Sequence, residues 1–186
     1  IERASIAELE QLLSKEYPDL DVEQALRDRD EQPDRFQVYE ALLLPLENVI
    51  QPLAFHPEGD ALYHSLQVFD HARDERAYDE ELLTAALLHD VGKAIDPRDH
   101  VAAGLEALQG FITERTAWLI QHHMLCHDLR EGRLGARAHR RLRANENYHD
   151  LLFLGDCDRA GRQSGVEAPE LDEALDYLRE IGGMFG

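Results

Sequence analysis

The sequence has few of the features that mark a membrane or secreted protein. Its longest apolar runs, such as residues 41–45 and 85–88, are far shorter than the roughly 20 residues that span a bilayer. No charged start followed by an apolar stretch and a small-residue cleavage site opens the chain. Its 2 cysteines, Cys126 and Cys157, form no spaced disulfide framework. These absences favour a cytoplasmic protein with reduced thiols and no membrane contact.

Positive charge is also scarce. There are 19 Lys and Arg residues against 38 Asp and Glu, which gives a formal net charge of -19. Non-specific binding to DNA or RNA needs many basic side chains placed against phosphates, so general nucleic-acid binding is excluded. The remaining composition, 44% hydrophobic and 31% charged over 186 residues, is that of one globular domain with a substantial core.

Signals for β-structure are weak throughout the chain. Alternating apolar patterns are short and are never bracketed by Asn-Gly or Asp-Gly turns. Apolar residues recur instead at helical spacing, as in residues 6–13 and 36–46. The sequence therefore predicts an all-α, single-domain helical bundle of roughly nine helices. Residues 1–50 carry no chemical cluster and are predicted to form an N-terminal helical layer on the core, while residues 51–186 carry the chemistry and a C-terminal helix.

Two polar side chains follow the most apolar helical segment. The run Leu82–Leu88 leads directly into His89 and Asp90, and Gly92 is expected to end the helix in a left-handed conformation. An imidazole and a carboxylate at an apolar helix end are unfavourable to bury unless something binds them, and a divalent cation would do so. Taken alone, the pair would favour a simple hydrogen bond at a helix end over a metal site.

Further His and Asp residues occupy apolar segments elsewhere. They are His64, His100, the pair His122 and His123, and the alternatives Asp156 and Asp158. Several of the 10 histidines stand where core leucines would be expected. Asp158 shares a helical face with Leu151 and Leu154, whereas Asp156 does not, so Asp158 is favoured.

Taken in order, these positions resemble the HD superfamily of metal-dependent phosphohydrolases. The resemblance covers about residues 56–162. Within that superfamily, the motifs at residues 56–60, 123–124 and 158–161 are similar to the HD region attached to bacterial tRNA nucleotidyltransferases. The residues contain no nucleotidyltransferase domain, so a free-standing relative of the HD type is expected.

The resemblance implies a metal site and a reaction. Its metal ligands would be His64, His89, Asp90 and Asp158 for one ion, and Asp90, His100 and one or both of His122 and His123 for a second. Such nitrogen and oxygen ligands suit one or two divalent ions, with Mn, Fe, Co, Ni, Zn and Mg not distinguishable. A metal-activated water would hydrolyse a phosphomonoester or phosphodiester of a nucleotide or related small phosphorylated metabolite, with Asp90 as a catalytic residue.

Basic residues near the cluster are candidates for binding the substrate. Lys93 lies about one turn after Asp90, where its ammonium would contact a phosphate or protonate a leaving oxygen; an exposed lysine after a helix end is the alternative. Residues 130–143 hold six arginines, and Arg140 and Arg141 are predicted to bind a second anionic group of the substrate. A solvated helix face would also explain this basic segment.

Two other functions fit the same residues. Binuclear-iron members of the HD superfamily are oxygenases, and these require redox-active iron. A regulatory module that binds metal and nucleotide without turnover is the other alternative. Phosphate release from a substrate panel, compared with oxygen uptake, distinguishes the three.

Overall fold

The computed structural model describes residues 34–54 and 56–184, and nearly all regular structure in them is helical. The described part contains nine α-helices: α1 Arg35–Leu43, α2 Ala61–Glu75, α3 Glu80–Leu88, α4 His100–Ala107, α5 Glu114–His122, α6 Leu125–Arg130, α7 Ala136–Arg143, α8 Tyr148–Ala160 and α9 Leu171–Met184. Two short 3-10 helices, Leu44–Asn48 and Val91–Ala94, follow α1 and α3.

No β-strand occurs in the described part of the chain, where one isolated antiparallel bridge joins Ile50 to Asp60. The predicted all-α class is therefore confirmed over these residues. None of the helices described has the combination of length and apolar character that crossing a bilayer requires.

Helix α3 is central because it is apolar on every side. All residues from Leu82 to Leu88 are buried, and a helix with no polar face must be surrounded by other elements. Helices α2, α5, α8 and α9 pack against it. The C-terminal end of α3 therefore lies inside the bundle, and His89 and Asp90 at that end are buried as well.

Side-chain caps define where the helices around this end begin. A carboxylate or hydroxyl before each of α2, α3, α4 and α5 accepts a hydrogen bond from a backbone N–H in the first turn, which would otherwise lack a partner. The capping residues are Asp60, Asp79, Asp99 and Thr113, with donor–acceptor distances of 2.8, 3.2, 3.3 and 3.2 Å. Each cap fixes the register of a helix that contributes to the site or packs beside it.

A close backbone contact sets the position of α4. Gly92 lies in the 3-10 helix Val91–Ala94 and does not have the predicted left-handed conformation. A Cβ atom on Gly92 would overlap the backbone oxygen of His100 and would lie 2.6 Å from the backbone nitrogen of Gly104. The glycine is needed because α4 crosses directly over it, and this crossing brings His100 next to Asp90.

Residues 1–33 of the N-terminal layer predicted for residues 1–50 lie outside the described residues. Its remaining part, α1 and the 3-10 helix Leu44–Asn48, packs through Phe36, Tyr39, Leu43 and Leu46. These elements contact α2, α9 and the 3-10 helix after α3. From Arg35 onward the chain belongs to one compact unit.

Replacing Gly92 by alanine is expected to destabilise the protein and displace α4. Because the new methyl group would meet backbone rather than flexible side-chain atoms, the free energy of unfolding should fall by at least about 1–3 kcal/mol. Urea denaturation monitored by circular dichroism measures this change. The matched control is Gly183→Ala in α9, where a Cβ meets nothing within 4 Å and helix propensity favours alanine. Equal stability of the two variants would contradict the proposed contact.

Candidate metal centre

The dyad His89 and Asp90 lies at the end of α3, with only 2% and 3% of each residue exposed. The Nδ1 atom of His89 donates a hydrogen bond to the backbone oxygen of Ala86 at 2.9 Å. Because Nδ1 carries the proton, the lone pair of the neutral ring is on Nε2. That atom lies 3.3 Å from Oδ2 of Asp90.

Helix α2 contributes His64, which is fully buried. Its Nδ1 atom lies 3.0 Å from Oε1 of Glu58 and 3.1 Å from the backbone oxygen of Gly161. Both neighbours are acceptors, so Nδ1 carries a proton. The Nε2 atom is thereby directed to the interior, 3.2 Å from Oδ1 of Asp158 and 3.9 Å from Oδ2 of Asp90.

Of the two candidate aspartates on helix α8, Asp158 lies in the cluster and Asp156 does not. Asp158 is buried beside His64, whereas Asp156 lies on the solvent side and forms ion pairs with Arg130 and Arg159. The other oxygen of Asp158 lies 3.0 Å from Nε2 of His127. The structure thus places Asp158, the residue favoured by helical periodicity, in the cluster.

Helices α4 and α5 contribute one histidine each. His100 begins α4, and His123 directly follows α5, with their Nε2 atoms 3.5 Å apart. The Nδ1 atom of His123 donates to the backbone oxygen of Ile120 at 2.7 Å.

The structure corrects the prediction that includes His122 among the ligands. The ring of His122 stacks on Trp118 with a centroid distance of 4.4 Å, and its Nδ1 atom donates to the backbone oxygen of Trp118 at 2.8 Å. Neighbouring residues on a helix differ by about 100° in direction, so only one of the two histidines can face the cluster. That histidine is His123.

Asp90 lies between two groups of imidazole nitrogens. Its Oδ2 atom faces Nε2 of His64 and His89, while its Oδ1 atom lies 3.4 Å from Nε2 of His100 and 3.8 Å from Nε2 of His123. Within each group the potential ligand atoms lie within 4.8 Å of one another. One carboxylate therefore faces two possible cation positions, as the predicted bridging role requires.

The electrostatics of the cluster are those of a cation site. Burial alone would raise the pKa of Asp90, but the neighbouring His89, Lys93 and His123 hold it well below its ordinary value. Burial lowers the pKa of His123 to about 4, which keeps its ring neutral near pH 7. Burial opposes protonation of His64, yet contacts with Asp158 and Glu58 and the charge of Asp90 raise its pKa to about 9. The carboxylates thus attract positive charge to Nε2 of His64.

The donor set fits a divalent cation. The Nε2 atoms of His64 and His89 are buried and have no hydrogen-bond partner among the described residues, although carboxylate oxygens lie close to both. Buried polar atoms are normally satisfied, and convergent lone pairs and carboxylates are satisfied together by a shared cation. Imidazole and carboxylate ligands without thiolate suit the divalent metals named above.

A cavity of about 390 Å³ opens onto this cluster. Besides His89, Asp90, His100, His123 and Asp158, its lining includes Gln51, His56, Lys93, His127, Arg133 and Arg162. The Nζ atom of Lys93 lies 2.6 Å from Oδ2 of Asp90 and 2.6 Å from Oε1 of Gln51. Lys93, Arg133 and Arg162 are the lysine and arginine side chains that border the cavity.

The structure places the two predicted anion-binding arginines outside the cavity. Arg140 and Arg141 are exposed on α7 and are not part of the cavity lining. The basic residues that do line it beyond Lys93 are Arg133, from the same basic segment, and Arg162, which donates to Oδ1 of Asp158 at 2.9 Å.

Sequence reasoning missed Arg162 and His127, although a signal was available. Arg162 follows Asp158 by four residues, and His127 follows His123 by four residues. Such a spacing brings side chains to the same side of a helix. Applying this four-residue spacing to Asp158 and His123 identifies Arg162 and His127 as neighbours of the cluster.

Comparison with known proteins gives consistent matches. The family model of the HD domain matches residues 61–161. The Multifunctional CCA protein of Methylococcus capsulatus is 34% identical over 156 residues, covering 73% of this chain and 36% of that protein. The Multifunctional CCA protein of Hahella chejuensis is 29% identical over 182 residues, covering 85% and 41%. The chain thus spans little more than a third of the length of these curated relatives.

Replacing His123 by alanine is expected to lower the amount of metal retained, whereas His122→Ala should retain the wild-type amount. His123 lies 3.8 Å from Oδ1 of Asp90, while His122 stacks on Trp118 away from the cluster. Mass spectrometry of metal content after loading with Mn²⁺ and gel filtration measures the difference. Metal loss of similar size in the two variants would contradict the assignment.

Proposed function

The chain belongs to the HD domain family, as its ordered His and Asp positions predict, and on this basis we propose that it is a metal-dependent phosphohydrolase. Its proposed substrate is a phosphate ester of a nucleotide or of a related small phosphorylated metabolite. The observation that carries the proposal is Asp90, whose two carboxylate oxygens face two separate pairs of imidazole nitrogens at a cavity that Lys93, Arg133 and Arg162 help to line.

In this proposal His64, His89, Asp90 and Asp158 hold one divalent ion, and Asp90, His100 and His123 hold a second. When bound, such ions lower the pKa of a water and neutralise charge on a phosphoryl oxygen. The protein's contribution is a set of ligands whose orientation is already fixed. Each of His64, His89 and His123 has its Nδ1 proton directed to a backbone oxygen.

Lys93 is the residue best placed to act on the substrate directly. Its ammonium lies at the cavity wall, held by Asp90 on one side and Gln51 on the other. A positive charge in this position would bind a non-bridging phosphoryl oxygen or donate a proton to the departing oxygen. Gln51 would orient Lys93, because its Oε1 atom accepts one of the three ammonium protons.

Arg133 and Arg162 would attract and orient the anionic substrate at the cavity. Arginine binds phosphate and carboxylate groups through paired N–H donors. The net charge of -19 would otherwise repel a nucleotide, so local positive charge beside the cluster is needed for its approach. Arg162 also holds Asp158, which combines substrate attraction with orientation of a proposed metal ligand.

The two cysteines near the cluster are unsuited to nucleophilic attack. Burial raises the pKa of Cys126 to about 11 and that of Cys157 to about 12, so both remain thiols near neutral pH. The Sγ atom of Cys126 donates to the backbone oxygen of Leu151 at 3.1 Å. Neither cysteine is part of the cavity lining, which supports direct attack by water rather than a covalent intermediate.

Phosphate release in the presence of a divalent metal is the first expected result. A panel is assayed with Mn²⁺, Ni²⁺, Co²⁺ and Mg²⁺ in turn, with released phosphate measured for nucleotides and phosphomonoesters and the nucleoside monophosphate product measured for cyclic nucleotides. His89→Ala and Asp90→Ala should reduce kcat/KM by more than about 100-fold, since loss of a ligand should exceed the effect of losing an outer partner. Asp156→Asn, a carboxylate outside the cluster, is the control and should remain active.

The outcome of that assay separates the candidate functions. No turnover with any combination, despite bound metal, would favour a binding module. Oxygen uptake on substrate addition in an iron-loaded sample, without phosphate release, would favour an oxygenase.

Arg133→Ala is expected to raise KM with little change in kcat, whereas Arg140→Ala should leave both unchanged. Arg133 lines the cavity and Arg140 does not, although both belong to the basic segment of residues 130–143. Because Arg133 is largely exposed, the increase in KM should be modest, roughly three- to tenfold. Steady-state kinetics on the best substrate of the panel measures it. An equal effect of both substitutions would show that overall charge, rather than position, matters.

A further inference from the structure

Glu58 is a carboxylate in an unusual environment. Its side chain has no exposed surface, and its Oε1 atom lies 2.8 Å from Nδ1 of His56 and 3.0 Å from Nδ1 of His64. Its Oε2 atom is buried without a hydrogen-bond partner among the described residues. A buried carboxylate is unfavourable unless its partners compensate it, and here the side-chain partners are two imidazole rings.

The loop that carries Glu58 is held in place by its own backbone. The backbone nitrogen of Gln51 donates to the oxygen of Gly59 at 2.8 Å, and that of Ala61 donates to the oxygen of Val49 at 3.1 Å. Gly59 has a φ of 107°, a conformation that favours glycine over residues with a side chain. The chain therefore turns sharply after Glu58 and enters α2, which carries His64.

The proton on Nδ1 of His64 has two acceptors, Glu58 and the backbone oxygen of Gly161. His89 and His123 also present Nε2 to Asp90, but their Nδ1 atoms donate to the backbone oxygens of Ala86 and Ile120. Of these three rings, His64 is the one with a carboxylate behind it. A carboxylate behind a metal-binding imidazole fixes its tautomer and increases its strength as a ligand.

We propose that Glu58 is a positioning residue that fixes the tautomer and orientation of His64 for metal binding and, through its second contact, orients His56 at the cavity wall. This inference rests on the proposed function, because it assigns His64 to a metal. Glu58 is not one of the proposed metal ligands, and its role in holding His64 explains why its carboxylate is buried. His56 is part of the cavity lining, so one carboxylate connects the cluster to the cavity.

A separate cation held by His56, Glu58 and His64 is the main competing explanation, since their ligand atoms also lie close together. The hydrogen bonding of His64 argues against it. A neutral imidazole has one lone pair, and the acceptors around Nδ1 place that lone pair on Nε2. Nδ1 then has a proton to donate and cannot bind a metal.

The test compares Co²⁺ binding by the full chain and by Glu58→Gln, which keeps the shape of the side chain and removes its charge. The matched control is Asp60→Asn. Asp60 lies two residues from Glu58 and caps α2, and asparagine caps a helix equally well. Affinity and stoichiometry are measured by calorimetry, coordination by the visible absorption of bound Co²⁺, and folding by thermal melting.

Glu58→Gln is expected to weaken Co²⁺ binding by roughly 10- to 100-fold, with unchanged stoichiometry and an altered absorption spectrum. The Co²⁺ affinity of Asp60→Asn should stay within about twofold of that of the parent chain. This difference is small compared with the weakening expected for Glu58→Gln. A folded Glu58→Gln protein that binds Co²⁺ as Asp60→Asn does would overturn this inference and leave the proposed function standing. Absence of Co²⁺ binding by the parent chain would overturn both.

His56→Ala distinguishes positioning from a separate cation site. Positioning of His64 by Glu58 predicts unchanged stoichiometry in this variant. Loss of one equivalent of Co²⁺ in both His56→Ala and Glu58→Gln would overturn the inference in favour of a separate cation.

A second measurement does not depend on any variant folding. Long-range ¹H–¹⁵N spectra of the metal-free parent chain, recorded above the pKa of His64 so that the ring is neutral, report which ring nitrogen carries the proton. The inference predicts a proton on Nδ1 of His64 held by Glu58. A ring protonated at Nε2 alone would overturn it.

Discussion

The carboxylate of Asp90 is the interaction on which the rest of the site depends. It is buried and negatively charged, and such a group is stable inside a protein only when positive charge and hydrogen-bond donors surround it. The ammonium of Lys93 contacts the carboxylate directly, and four imidazole rings direct Nε2 toward it, an arrangement that a shared cation would stabilise. They come from α2, the end of α3, α4 and the end of α5, so the packing of these helices and the stability of this anion require each other.

The scaffold places these groups by burying the helix that leads to them. An amphipathic α3 would lie at the surface and expose Asp90 at its end, but α3 is apolar on every side and its C-terminal end is enclosed. The close crossing of α4 over Gly92 then brings His100 near Asp90. Glu58 and backbone oxygens contact Nδ1 of His64, His89 and His123. These contacts determine that Nε2 of each ring faces inward.

The distribution of charge combines two opposite needs. An acidic surface is unfavourable for polyanions, while the cavity concentrates Lys93, Arg133 and Arg162 beside the cluster. These groups are also engaged locally, since Lys93 contacts Asp90, Arg162 contacts Asp158, and Arg133 pairs with Asp128 and Glu131. Such an arrangement presents three cationic side chains to a small ligand at the cavity, while the protein as a whole stays acidic.

The sequence by itself determined the helical class, the burial of the α3 segment and the identity of most cluster residues, because helical periodicity and an apolar setting are local properties. The same periodicity favoured Asp158 over Asp156. Only the tertiary structure decided between His122 and His123, since the direction of a helix face depends on what the helix packs against. It also decided which arginines border the cavity, because that depends on how separate segments pack, and that Glu58 lies behind His64, because that depends on the turn at Gly59.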